Sequence, residues 1–338
     1  METVHEVIII GSGPSGLTAG IYTSRGNRKT LILAGRKWGG QLMLTTEVEN
    51  FPGFPEPIMG PELMKKMRDQ AERYGAEILD VNFTGADYSK MPIEINTDDD
   101  KKFYSKSVII ATGADTKWLQ IPGEEEKIGR GVSSCAPCDA AFYREKKVIV
   151  VGGGDSAMEE ALVLTKFASH VYIVHRRDTL KASDIMQKKA FSNEKISFIY
   201  NTAPTEIMGE MKVEGVKFKT TLKDGGIPCY ENNQGSTKSV QDLGGVEISK
   251  NETEIEWKFP IDGVFVAIGH IPNSAVFEGI ERDEKGFIKK LDNFKTNIEG
   301  VFVAGDVHDS RYMQGVTAAG FGCMAALEVE KFLENQEY

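Results

Sequence analysis

Two stretches of the chain share one order of apolar and polar positions. Glu6 to Ile10 is a short apolar strand that runs into Gly11-Ser12-Gly13-Pro14-Ser15-Gly16, and apolar residues at helical spacing follow through Tyr22. The same order returns at Lys147 to Val151, then Gly152-Gly153-Gly154-Asp155-Ser156-Ala157, then a helical pattern through Leu164. Further apolar strands are predicted at Thr30 to Leu33 and Val171 to Val174. Two more run Val108 to Ile110 into Ala111-Thr112-Gly113 and Val301 to Val303 into Ala304-Gly305-Asp306, and a last apolar helix covers Val316 to Leu333. Between Lys219 and Lys258 the pattern turns polar and glycine-rich, with Asp224-Gly225-Gly226 and Asn232-Asn233-Gln234-Gly235-Ser236, which predicts hairpins and loops.

A strand, a glycine turn and a helix are the parts of a dinucleotide site. The first glycine makes the tight turn, the second lets backbone approach a pyrophosphate, and the third position needs a small residue for helix packing. The helix N-terminus then faces the phosphates. One such hexad is a weak signal, and two in the same context predict an α/β protein with two Rossmann-like three-layer nucleotide-binding domains. The candidate contacts are Gly11, Gly13, Pro14, Ser15 and Gly16 in the first, and Gly152, Gly154, Asp155 and Ser156 in the second.

The end of the second strand of each unit reports on the ribose. In the second unit it is His175-Arg176-Arg177-Asp178, and two guanidiniums there offer forked donors to a 2′-phosphate, so this half is expected to prefer NADPH over NADH. In the first unit the strand ends in Ala34-Gly35-Arg36 without an acid, and residue type alone leaves its nucleotide open. The turns at Ala111-Thr112-Gly113 and Gly305-Asp306 favour FAD, because ligands of open parallel sheets sit outside the carboxyl ends of the strands and Asp306 suits a ribityl hydroxyl. The C-terminal strand thereby rejoins the first half. The second domain is expected to be inserted into the first, with 1–115 and 270–338 binding FAD and 116–269 binding NADPH.

With 338 residues, 41% of them hydrophobic and 27% charged, the chain has material for two folded domains. A net charge of -10 disfavours a general grip on nucleic acid or anionic lipid. No apolar run approaches the ~20 residues of a membrane span, and the opening Met1 to Glu6 lacks a basic start, so the chain reads as cytoplasmic. Four cysteines are too sparse for a secreted disulfide framework. Cys229 reads as an inert thiol and Cys323 as core packing.

Cys135-Ala136-Pro137-Cys138-Asp139 remains to be explained, and spacing alone does not decide between zinc and redox chemistry. A structural zinc site needs two more ligands at similar spacing, and no second cysteine pair or paired histidine motif is present, so no metal is expected. Cysteines in such pairs have depressed thiol pKa values, and Asp139 is placed to protonate a leaving thiolate. The pair lies in the domain expected to bind NADPH. Electrons passing from nicotinamide to flavin to disulfide therefore call for a hinged domain that presents the two groups to the flavin in turn.

Taken together the residues resemble the low-molecular-weight thioredoxin reductases, pyridine nucleotide-disulfide oxidoreductases with FAD and NADPH domains. The likeness spans nearly the whole chain. It rests on Gly11 to Gly16, Gly39-Gly40-Gln41-Leu42, Thr46-Glu47-Val48-Glu49-Asn50-Phe51-Pro52-Gly53, Ala111-Thr112-Gly113, Cys135 to Asp139, Gly152 to Ala161, His175 to Asp178 and Gly305-Asp306. It implies a homodimer that passes a hydride from NADPH to FAD, then electrons to the Cys135-Cys138 disulfide and on to thioredoxin, with rotation of the inserted domain between half-reactions. By analogy Cys138 faces the flavin, Cys135 attacks the partner's disulfide, Asp139 is the acid and base, and Gly40, Gln41, Leu42, Thr46 and Asn50 lie along the flavin. Met313-Gln314 stands where the family usually has arginine-glutamine, leaving Gln314 as the candidate contact. Lys181, a point charge, replaces a further basic fork after His175-Arg176-Arg177. The polar stretch from Lys219 to Lys258 is longer than the family suggests.

Three rivals use similar parts: a flavin-dependent dithiol oxidase, a ferredoxin-dependent thioredoxin reductase and a flavin-bearing sensor. Arg176, Arg177 and the intact second glycine turn argue against the first two, since neither needs NADPH.

Overall fold

The computed structural model describes residues 3–45, 47–231 and 234–336. Its α-helices, in chain order, are α1 (Pro14–Arg25), α2 (Gly60–Arg73), α3 (Ala136–Asp139), α4 (Asp155–Leu164), α5 (Asp184–Phe191) and α6 (Gly315–Glu334). The chain divides into two compact units, Met1–Asp115 with His270–Tyr338, and Thr116–Gly269. The connecting strands Ala114–Thr116 and His270–Pro272 pair with each other.

The first unit is built on a sheet in the order Glu77–Leu79, Thr30–Leu33, Val4–Ile10, Lys102–Ile110. These strands run parallel, with Ile8 opposite both Leu31 and Val108. Lys102–Ile110 is long enough to serve two partners: its first half pairs antiparallel with Ile93–Thr97, and its last residues pair parallel with Val301–Val303. The unbroken apolar run Val7 to Ile10 follows from burial on both faces, as expected of a central parallel strand. Val7 and Ile9 pack under α1, α2 and α6 with Leu17, Met64 and Val329, while Ile8 and Ile10 pack on the other face with Ile93, Phe277 and Ile288.

The second unit repeats the plan. Val132–Ser133, Gly263–Val266, Lys147–Val151, His170–Val174 and Ile196–Ile199 form the parallel part of its main sheet, extended by the hairpin Ile227–Glu231 with Gln234–Lys238. Val148 and Val150 pack against α4, whereas Ile149 and Val151 face a four-stranded antiparallel sheet. That sheet buries Phe218, Trp257 and Phe259, and the Trp257 indole N–H donates to the Thr220 hydroxyl at 2.9 Å. The polar stretch after Lys219 thus contains hairpin strands, and among them Cys229 is buried, with burial pushing its thiol up to about 12. Cys323 is half-buried on α6 rather than in the core, since it lies beside the Tyr22 hydroxyl on the partly exposed seam with α1.

Helices α1 and α6 pack closely because small residues face each other. A Cβ on Gly322 would lie 2.1 Å from the Ser15 carbonyl oxygen, whereas one on Gly320, two residues earlier, would meet nothing within 4 Å. Gly320→Ala is therefore expected to stabilise the protein by about 0.5–1 kcal/mol through helix propensity. Gly322→Ala is expected to destabilise it by roughly 1–3 kcal/mol through overpacking. Urea unfolding of the two variants beside the parent checks the opposite signs.

Candidate active site

In the first unit the expected flavin residues converge on the carboxyl ends of three adjacent strands. Gly11 has φ +113° and passes so close to the next strand end that a Cβ would stand 2.3 Å from the Ala111 carbonyl oxygen. The Ala111-Thr112-Gly113 turn is pinned by Asn273: the Thr112 hydroxyl donates to its carbonyl at 2.7 Å and the Asn273 side-chain amide donates back at 3.2 Å. Gly305, the third strand end, sits against Ser15.

The segment after the second strand folds over this cluster. The Gly39 N–H donates to the Ser12 hydroxyl at 2.8 Å, and Gly40 lies directly beside Gly13. Leu42 lies against Gly315, and the Asn50 amide donates to Gln314 at 3.4 Å, so Asn50 and Gln314, far apart in sequence, meet. Gln41 donates to Asp115 at 2.8 Å. Met313 adopts φ +47°, a left-handed backbone at the position where the family usually has arginine. Thr46 lies outside the described residues.

Three observations fit a long cofactor here. A Cβ on Gly13 would meet nothing within 4 Å, so the helix start has open space in front of it, as a pyrophosphate requires. The Ser15 Oγ and one Asp306 carboxylate oxygen are buried without a hydrogen-bond partner, and a ribityl or pyrophosphate group would supply what they lack. Burial, reinforced by Asp309, pushes Asp306 up to about 7.

In the second unit Gly154 also faces open space, while Gly152 packs against the Ala267 carbonyl. His175 turns inward: a Cβ on Gly153 would strike its ring at 2.4 Å, and its Nε2 lies 3.0 Å from the Thr179 carbonyl. Burial lowers its pKa, as do Arg176 and Arg177, so the ring is a neutral spacer between the glycine turn and the arginine loop. Arg176, Arg177 and Lys181 are exposed, and the Lys181 and Ala182 N–H groups donate to the Gly153 carbonyl, bringing this loop back to the turn. Asp155 accepts from the Ser183 N–H at 2.7 Å, which ties down the start of α5, and Ser156 is exposed at the start of α4.

The same unit holds the cysteines. Cys135 and Cys138 form a disulfide with Cα atoms 5.3 Å apart, both half-buried, and α3 starts between them. The Ser133 hydroxyl accepts from the Cys135 N–H at 3.1 Å and also bonds Asp139. Burial pushes the Asp139 carboxyl up, partly offset by that hydroxyl. Among the described residues no cluster of three metal-binding side chains exists.

Sequence reasoning missed Asn273, Asp115, Ser133 and Glu160. Glu160 on α4 accepts the Ala136 N–H, and burial pushes its carboxyl up to about 7. Only the fold brings these residues in, and Ser133, two positions before Cys135, carried the nearest local signal.

The Asp306 shift has a testable sign. The folded, cofactor-free protein holds this proton more tightly than the unfolded chain does, so the contribution to stability is full below the ordinary value of 3.8 and is lost as pH rises through about 7. Asp306→Asn is expected to remove a loss on the order of 2–4 kcal/mol between those limits. Urea midpoints of the apoprotein at a series of pH values check it.

Known proteins match this chain over almost its full length. Residues 5–322 match the pyridine nucleotide-disulphide oxidoreductase family. The thioredoxin reductase of Mycolicibacterium smegmatis is 44% identical over 338 residues, covering 99% of each chain. That of Rickettsia felis is 45% identical over 337 residues, covering 99% of this chain and all of its own. The solved thioredoxin reductase of Giardia duodenalis superposes with a TM-score of 0.83 at 38% identity, over 98% of this chain and 100% of its own. The chain belongs to the pyridine nucleotide-disulphide oxidoreductases, in their thioredoxin reductase branch.

Proposed function

We propose that the protein is an NADPH-dependent thioredoxin-disulfide reductase, with FAD on the first unit and NADPH on the second. The observation that carries this reading is the Cys135-Cys138 disulfide held half-buried beside the protonatable carboxyl of Asp139. The chemistry that bound NADPH and FAD supply is hydride transfer and delivery of an electron pair to that disulfide.

The chain's own residues do the rest. Gly11 to Gly16, Gly40 to Leu42, Asn50, Gly305, Asp306 and Gln314 hold the flavin, and Asp306 and Ser15 take partners from it. Gly154, Ser156, Arg176, Arg177 and Lys181 hold the nucleotide, with His175 and Asp155 shaping the loops that carry them. Once the disulfide is reduced, Cys135 attacks thioredoxin and forms a mixed disulfide, Cys138 resolves it, and Asp139 moves the proton. The nicotinamide site and the cysteines belong to one unit and have one flavin to serve, so that unit turns between half-reactions. The protein acts as a cytoplasmic homodimer, and the exposed Met324 and Leu327 of α6 support the dimer reading.

Purified enzyme is expected to oxidise NADPH with an oxidised thioredoxin as acceptor, and Cys138→Ser to abolish that turnover. Flavin-containing protein without such turnover would refute the reading. Arg176→Ala is expected to raise KM for NADPH about 10-fold or more with little change in kcat, and to leave KM for NADH unchanged. Steady-state kinetics with both nucleotides check it.

A further inference from the structure

Glu160 lies in the glycine-turn segment that carries the resemblance but has no role in it, yet it reaches the turn between the cysteines. Its neighbour Glu159 is exposed on the same helix, whereas Glu160 is turned in and accepts the N–H of Ala136, the residue directly after Cys135. The groups that act on it by charge are Asp139 and Glu159. Asp139 in turn faces the Ser133 hydroxyl and Tyr143, whose phenol is buried at the turn packed on α4. Two half-buried carboxyls therefore stand at the turn that carries the disulfide, and desolvation raises both.

We propose that Glu160 is a positioning residue of the redox centre: its carboxyl anchors the turn between the cysteines and, while protonated, lets Asp139 release a proton to the outgoing sulfur without a second buried charge beside it. This deepens the reductase reading and rests on it. When the S–S bond breaks, two electrons from NADPH leave two thiolates, and one takes the Asp139 proton. The products are one thiol, one thiolate and the Asp139 carboxylate, with Glu160 neutral throughout. Above about pH 7, where Glu160 ionises, its charge raises the proton affinity of Asp139 and of the thiols.

Glu160→Gln keeps an acceptor for Ala136 and mimics the protonated acid at every pH. The test measures iodoacetamide alkylation of the reduced cysteines in the holoenzyme across pH. The variant is expected to match the parent below about pH 7, and above it to react roughly 3–10-fold faster because its thiol pKa is lower by about half to one unit. Superimposable profiles over the whole range would overturn the proposal. If the variant does not fold, infrared spectra of the parent with isotope-labelled glutamate read Glu160 directly. A labelled protonated carboxyl that titrates near pH 7 supports the proposal, and ionised glutamates throughout would refute it. Alkylation needs no turnover, so failure to reduce thioredoxin would sink the reductase reading and leave this readout intact.

Discussion

The constraint on which the rest depends is the close approach of a glycine turn to the end of a neighbouring parallel strand. In the first unit the Gly11 backbone passes the Ala111 carbonyl with no room for a side chain, and in the second Gly152 does the same against Ala267. That approach brings the strand ends together, leaves the start of the following helix facing open space at Gly13 and Gly154, and so prepares an anion site from backbone alone. The buried apolar runs on both faces of each sheet hold the turns rigid enough to keep that geometry.

Around this shared frame the two units specialise through polar groups. The first collects buried groups that lack partners of their own, the Ser15 hydroxyl and one Asp306 oxygen, at the carboxyl ends of its strands. The second keeps its loops satisfied internally, with His175 wedged on Gly153 and Asp155 tied to Ser183, and so presents Arg176 and Arg177 outward on a fixed base. A buried ring is a stiffer support for those guanidiniums than a solvated loop would be.

The redox centre adds a second use of burial. The half-buried Cys135 and Cys138 share one turn with Asp139, and Glu160 accepts the Ala136 N–H within it. Desolvation raises both carboxyls, Glu160 to about 7, and so favours their protonated forms. Ser133 moderates this by bonding Asp139 while also holding the Cys135 backbone.

What was legible in the sequence was whatever repeats locally. Strand periodicity, the two glycine hexads, the double arginine and the Cys-x-x-Cys pair are all encoded within a few neighbouring residues, where the backbone period and side-chain chemistry act directly. The antiparallel strands around Phe83, Ile93 and Thr202 were not read, because their pairing depends on partners elsewhere in the chain. The meeting of Asn50 with Gln314, the Asn273 clasp on Thr112 and the reach of Glu160 to Ala136 were likewise decided by tertiary structure alone. Each joins residues whose types are ordinary and whose separation in sequence carries no signal. Residue type and short spacing determine which chemistry is available, and only packing decides which side chains are buried next to it, and hence which protons it holds.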